Sequence, residues 1–302
     1  MATAEAAIAP APHRKAPPPL RKLNPPKLKL PPGACDTHFH FLGPQREFPF
    51  NPIRNFVPDV DHEDSTSEDW KKLQAALGLS RGLLVQSMMY YPSCELALHG
   101  LSLMPERLRA VVTPSLSITD RELEILTKAG VVGVRFTRST GETIDERLVR
   151  RTHELGWGMH YNMGADENAR DWSQAVLASP GKFVLEHMGH APAEHGINST
   201  RFKFVLECID TGRCWVKLSP RISKQQTFPF SDVLPLVQTL VERAPNRLLW
   251  GSDWPHPQYW RPMPSDSDLL DMMLDWVPDE ATRNRIFVDN AIEAFGFPPV
   301  GG

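Results

Sequence analysis

The chain has 302 residues, 41% of them hydrophobic and 23% charged, ordinary values for a globular protein with a sizeable core. Thirty-three basic and 36 acidic side chains leave a formal charge of −3, which argues against a nucleic-acid or anionic-membrane footprint. No apolar run approaches the roughly 18 residues of a membrane span. The four cysteines, Cys35, Cys94, Cys208 and Cys214, are widely spaced with no CxxC pair, so they read as reduced thiols of a cytoplasmic protein.

Residues 1–32 carry Pro17-Pro18-Pro19, Pro25-Pro26 and Pro31-Pro32 among Lys and Arg, with no apolar core that a secretory signal would need. Proline at this density blocks helix and central strand, so the segment is expected to be a flexible arm, or one that wraps the barrel or a neighbouring subunit and supports a homo-oligomer. From residue 33 to 302 a single domain is expected. Short Val- and Leu-rich runs alternate with amphipathic stretches. The predicted strands are Ala34–His40, Gly82–Ser87, Leu108–Thr113, Val131–Phe136, Trp157–Asn162, Phe183–His187, Trp215–Ser219 and Leu248–Asp253. The predicted helices are Glu68–Leu77, Ser93–Met104, Asp120–Ala129, Asp145–Leu155, Asn168–Leu177, Thr200–Ile209, Phe230–Arg243 and Ser267–Trp276, with a terminal helix around Asn290–Phe295. Eight strand–helix units over about 255 residues imply parallel pairing and an α/β fold, the (β/α)8 TIM barrel, whose usual size is about 250 residues. A doubly wound sheet would show a Gly-rich first turn, and Phe41-Leu-Gly-Pro44 lacks one.

Polar residues gather at the predicted strand ends, where barrel enzymes build their sites. His38 and His40 are two apart on one strand and project to the same side. With His187 and Asp253 they make a nitrogen-and-oxygen donor set suited to one divalent metal such as Zn or Mn, although the site also works on paper with none. The bland alternative is that buried histidines bond to backbone, but a set repeated at strand tips makes that a poor way to fill a barrel. Asp253 is the best proton acceptor for an attacking water, because the chain carries no GxSxG elbow and no P-loop. Arg135, Arg138 and Arg221 follow strands 4 and 7, and guanidinium forks at one mouth suit a small carboxylated substrate. Ser87, Tyr161, Asn162, His190 and His256 complete the candidate substrate contacts. Strand alternation lets only one of His160 and Tyr161 face inward.

The HxH of the first strand, the later histidine and the last-strand Asp resemble the amidohydrolase superfamily, amidohydrolase-2 type, over residues 33–298. Within it, Asp36-Thr-His-Phe-His40, Val134-Arg-Phe136, His187-Met-Gly189 and Trp250-Gly-Ser-Asp-Trp-Pro-His256 look specifically like the 2-pyrone-4,6-dicarboxylate lactonases. The resemblance implies hydrolysis of a carboxylated lactone from aromatic degradation. Asp253 would activate water, His38, His40 and His187 would contact the reacting carbonyl or a metal, and Arg135 and Arg221 would grip carboxylates. The family divides on metal requirement. This chain departs from that branch at His190, where the branch has arginine, at Asn162, where it has tyrosine, and in the loop Ser87-Met-Met-Tyr-Tyr91. The departures point to a different lactone, with one carboxylate, a halogen or a sulfonate. A metal-dependent decarboxylase of the aminocarboxymuconate-semialdehyde type shares the same four residues and is the rival reaction. A non-catalytic binding barrel is the third reading, which Asp253 among three histidines disfavours.

Overall fold

The computed structural model describes residues 14–51, 60–138, 143–164, 170–257 and 262–300. Among them, eight parallel strands form one sheet in chain order: β1 (Cys35–Phe39), β2 (Arg81–Val85), β3 (Leu108–Val112), β4 (Val131–Thr137), β5 (Gly158–Asn162), β6 (Phe183–Leu185), β7 (Cys214–Leu218) and β8 (Leu248–Trp250). Between and after them run α1 (Ser67–Leu77), α2 (Glu95–Leu103), α3 (Asp120–Ala129), α4 (Glu146–Glu154), α5 (Arg170–Leu177), α6 (Thr200–Asp210), α7 (Leu234–Arg243), α8 (Asp266–Trp276), α9 (Glu280–Phe287) and α10 (Asp289–Phe295). This is a (β/α)8 TIM barrel. The predicted start of the fifth helix, Asn168, lies outside the described residues.

Local chemistry sets these elements. Thr119 and Glu122 form a reciprocal capping box on α3, and Gly130 ends it in the left-handed conformation where a Cβ would be strained. Asp145, Ser199 and Asp279 accept from backbone amides at the starts of α4, α6 and α9. Two strands stop earlier than their apolar runs suggest. β6 ends at Leu185 because Glu186–His190 coils tightly, and β8 ends at Trp250 because Gly251–Asp253 is tied across the seam to β1.

That seam closes the barrel. The Asp36 carboxylate accepts from Ser252 N (3.0 Å), Ser252 Oγ (2.6 Å) and His38 N (3.1 Å). Asp253 N donates to His38 O, and His40 N donates to Trp254 O, both at 2.7 Å. Gly251 permits the close approach: a Cβ there would lie 2.6 Å from His38 Cβ and 2.8 Å from His38 N. At the opposite end the interior is apolar. Cys35, Leu83, Val111, Val184, Trp215 and Leu249 pack on Phe295 and Phe297. The C-terminal helix therefore plugs the lower end and leaves polar chemistry to the upper one.

The described part of the Pro-rich segment lies on its own barrel. Asp271 of α8 accepts from the amides of Lys27 (3.0 Å) and Leu28 (2.9 Å), Arg21 pairs with Asp69 of α1 (3.1 Å), and the backbone of Arg14–Lys15 pairs with Val60–Asp61. No helix among the described residues is long and apolar enough to cross a membrane, and the four cysteines are free thiols.

Candidate active site

The seam that closes the barrel also assembles the site, because both segments it joins carry polar side chains at their tips. His38 and His40 share the inward parity of β1, and Asp253 follows β8. Nε2 of each histidine lies 3.5 Å from Asp253 Oδ1. Nε2 of His187, just past β6, lies 3.9 Å from the same oxygen. All four side chains are buried. Backbone strain concentrates here as well. His187, Met188, Gly189 and His190 form a left-handed turn (φ 48°, 52°, 62° and 53°), and Asp253 and His256 also have positive φ (63° and 59°). Each such non-glycine conformation costs about 1–2 kcal/mol, held by the surrounding packing. The turn aims His187 into the mouth, and His190 packs edge-on against it with ring centroids 5.3 Å apart.

The electrostatics follow from burial. Desolvation pushes the His38 and His187 imidazoles well below their usual pKa and takes His190 down to about 3, so these three are neutral. Burial alone would raise the Asp253 carboxyl, but Arg221, His187 and His40 outweigh it and hold it well below the ordinary range. Arg221 Nη1 donates to Asp253 Oδ2, and Nη2 donates to Pro257 O (3.0 Å). Asp36, deeper in the seam, is pushed up to about 6, chiefly by burial.

A second buried layer lies beneath the histidines. Arg135 donates from Nε (2.9 Å) and Nη2 (2.8 Å) to Glu186 Oε2, and its Nη1 lies 3.4 Å from Gln86 O. Lys217 of β7 reaches His38 Nδ1 at 3.2 Å and Glu186 Oε1 at 3.9 Å. His160 of β5 stands 3.9 Å from the same Oε1. Burial would raise Glu186, yet Arg135 and Lys217 hold it below its usual range. Burial lowers Lys217 to about 8 against the pull of Glu186.

Two expected contacts are placed differently. Arg135, expected to grip a substrate carboxylate, turns its fork to the internal carboxylate of Glu186. Tyr161 does not face the mouth: its parity turns it outward, where its hydroxyl meets Ser179 (2.5 Å) and its ring packs on Phe136, Trp172 and Phe183. His160 takes the inward place instead, and Asn162 shares that parity at the rim. Arg221 is brought to Asp253, and half-buried Arg138 follows β4. Ser87 caps the short turn Met88–Tyr90. His256 is buried and pairs through Nε2 with Asp266 Oδ1 of α8 at 3.0 Å, which anchors the segment after β8. Glu186 stands outside the expected set, and Lys217 belongs to the polar residues at predicted strand ends without an expected role. The only sequence signal was a charged residue at the tip of an apolar strand run, in Phe183-Val-Leu-Glu186 and Trp215-Val-Lys217.

Ligands at about 2.0–2.1 Å from a tetrahedral zinc ion sit about 3.4 Å apart. The separations of 3.5, 3.5 and 3.9 Å around Asp253 Oδ1 fit that spacing, and His38 Nε2 and Asp253 Oδ1 have no hydrogen-bond partner. His38, His40 and Asp253, whose ligand atoms lie within 4.8 Å of one another, would hold such an ion, with His187 beside them.

Comparison with known proteins agrees with this architecture. The chain is 34% identical over 280 residues to a 4-sulfomuconolactone hydrolase of Hydrogenophaga intermedia, covering 88% of this chain and 89% of that one. It is 31% identical over 281 residues to a 2-pyrone-4,6-dicarboxylate hydrolase of Comamonas testosteroni, covering 88% and 90%. An Agrobacterium tumefaciens protein crystallised in its apo form superposes with a TM-score of 0.78 at 26% identity, over 91% of this chain and all of that one. The amidohydrolase family model matches residues 35–297, from the first barrel strand to the plug at its lower end. With HxH on β1, a histidine after β6 and an aspartate after β8 converging at one mouth, this chain belongs to the amidohydrolase family.

Proposed function

We propose that this protein is a hydrolase that opens a small anionic lactone by attack of water, with Asp253 as general base. The observation that carries the reading is the convergence of three imidazole Nε2 atoms on one Asp253 oxygen, 3.5–3.9 Å away, at the mouth of a barrel whose relatives are named lactone hydrolases. Water forms a bond to the lactone carbonyl carbon and its proton passes to Asp253. The ring C–O bond then breaks, the leaving oxygen takes the proton from Asp253 to become a hydroxyl or enol, and the new carboxylic acid releases its own proton to solvent. His38, His40 and His187 surround the carbonyl oxygen, where developing negative charge is best stabilised by fixed, desolvated groups. A divalent ion held by these residues would polarise the carbonyl and acidify water.

The half-buried Arg138, after β4, and Arg221, which keeps donor capacity beyond its bonds to Asp253 and Pro257, take the anionic substituent of the substrate. The departures from the dicarboxylate branch at His190 and Asn162 favour a lactone with a single carboxylate or a sulfonate. The 34% identity to a 4-sulfomuconolactone hydrolase supports that choice. The test is a panel of carboxylated and sulfonated lactones with product analysis by mass spectrometry and NMR. A ring-opened acid that has gained one water is expected. Release of carbon dioxide from a carboxylated substrate would replace the reading with decarboxylation, and inertness toward the whole panel would remove it.

A further inference from the structure

We propose that Lys217 is a positioning residue that keeps the ring proton of His38 on Nε2, so that His38 meets the reaction centre as a hydrogen-bond donor and holds a metal more weakly than its place in the cluster suggests. The inference rests on the reading that places His38 at the reacting carbonyl, and deepens it. Lys217 is 1% exposed, and its Nζ lies 3.2 Å from His38 Nδ1. An ammonium has three donors and no acceptor, so this contact requires a lone pair on Nδ1. A doubly protonated ring would set N–H against N–H, and Glu186, at 3.9 Å from both groups, offers only one oxygen to the pair. The single ring proton therefore sits on Nε2.

His40 is oriented by a different partner: its Nδ1 is 2.7 Å from the carbonyl of Val85, which can only accept, so a proton sits on Nδ1. His38 Nε2 and Asp253 Oδ1 have no hydrogen-bond partner and stand 3.5 Å apart. Water can accept from the first and donate to the second, and a carbonyl oxygen that gains charge can accept from the first. A cation asks for the reverse. Its bond to His38 needs the lone pair on Nε2, which turns Nδ1–H toward the ammonium. Partners behind a ligating histidine typically change metal affinity 10–100-fold, and here the partner works against the metal.

The experiment uses the full chain labelled with ring-15N histidine, with the His38 resonances assigned by their loss in H38N. In the parent, Nδ1 of His38 is expected in the unprotonated range and Nε2 in the protonated range. In K217M the pattern should reverse or become mixed. Titration with cobalt(II) chloride, followed by its ligand-field absorption, should show K217M binding roughly tenfold tighter than the parent. A protonated Nδ1 in the parent overturns the proposal, as does a K217M protein with the parental ring pattern or the parental cobalt affinity. A role confined to balancing the charge of Glu186 would leave the ring pattern unmoved. Should K217M fail to fold, the parental spectrum decides alone, and K217Q, which keeps an N–H donor without the charge, must retain the parental pattern. None of these readouts uses lactone turnover. Expected spectra with no lactonase activity would sink the proposed reaction and leave the assignment of Lys217 standing.

Discussion

Replacing Glu186 with Gln removes the one carboxylate that serves two buried cations. Arg135 makes two hydrogen bonds of 2.9 and 2.8 Å to it, and Lys217 stands 3.9 Å away. At an effective dielectric of about 20, opposite charges about 4 Å apart attract by about 4 kcal/mol, and stripping one partner from a buried pair typically costs about 3–5 kcal/mol. A domain has about 5–15 kcal/mol of stability, so E186Q should lose about a fifth of it or more. Glu186 is held below its usual pKa, so its contribution is fully present at neutral pH and disappears as the pH falls through the folded-state value. Urea unfolding at neutral pH, followed by circular dichroism, measures the loss in E186Q, R135M and the double variant. R135M should also lose several kcal/mol, and the double variant should be less destabilised than the two singles added together by at least about 1–2 kcal/mol. Two singles within about 1 kcal/mol of the parent would refute the reasoning. So would an R135M enzyme of parental stability whose KM rises sharply, because that pattern belongs to a clamp on substrate.

D253N should retain its fold by circular dichroism and lose activity by roughly 10²–10⁴-fold on whichever lactone the panel identifies; near-parental turnover would remove Asp253 as base. R221M should chiefly raise KM, by about 2 kcal/mol or roughly thirtyfold for a lost charge-assisted hydrogen bond, and an unchanged KM would confine Arg221 to Asp253. G251A should be destabilised by about 1–3 kcal/mol in urea, because its Cβ would press on the backbone of His38 at 2.8 Å and wedge β1 from β8; an unchanged midpoint would deny that close approach. Burial alone would lower the pKa of His256, but Asp266 overrides it and raises it above 6.5. The pair therefore adds stability that is complete below the unfolded value and is lost as pH rises through the folded one. Melting temperatures of the parent should fall across that window relative to D266N, and parallel curves would show that the pair contributes nothing.

The barrel and the four converging residues were legible in the chain because both rest on local regularities. Apolar runs of strand length between amphipathic stretches specify parallel β/α units, and the two-residue period of a strand puts His38 and His40 on one side whatever surrounds them. Closure of eight units then brings the first strand to the last, so Asp253 meets His38 without further information. What the sequence left open was phase and partnership. His160-Tyr161 is one inward and one outward residue in either order, and only pairing against β4, where Arg135 lies beside His160, decides which. Arg135 reads alike as a substrate clamp or as half of an internal ion pair. Glu186 is 51 residues away, and nothing local announces that the two side chains meet. The same holds for Lys217 and His38, 179 residues apart, whose contact determines where a single proton sits. Periodicity is a property of neighbours along the chain. The partner of a buried charge is a property of register between strands, and that register comes into being only when the barrel closes.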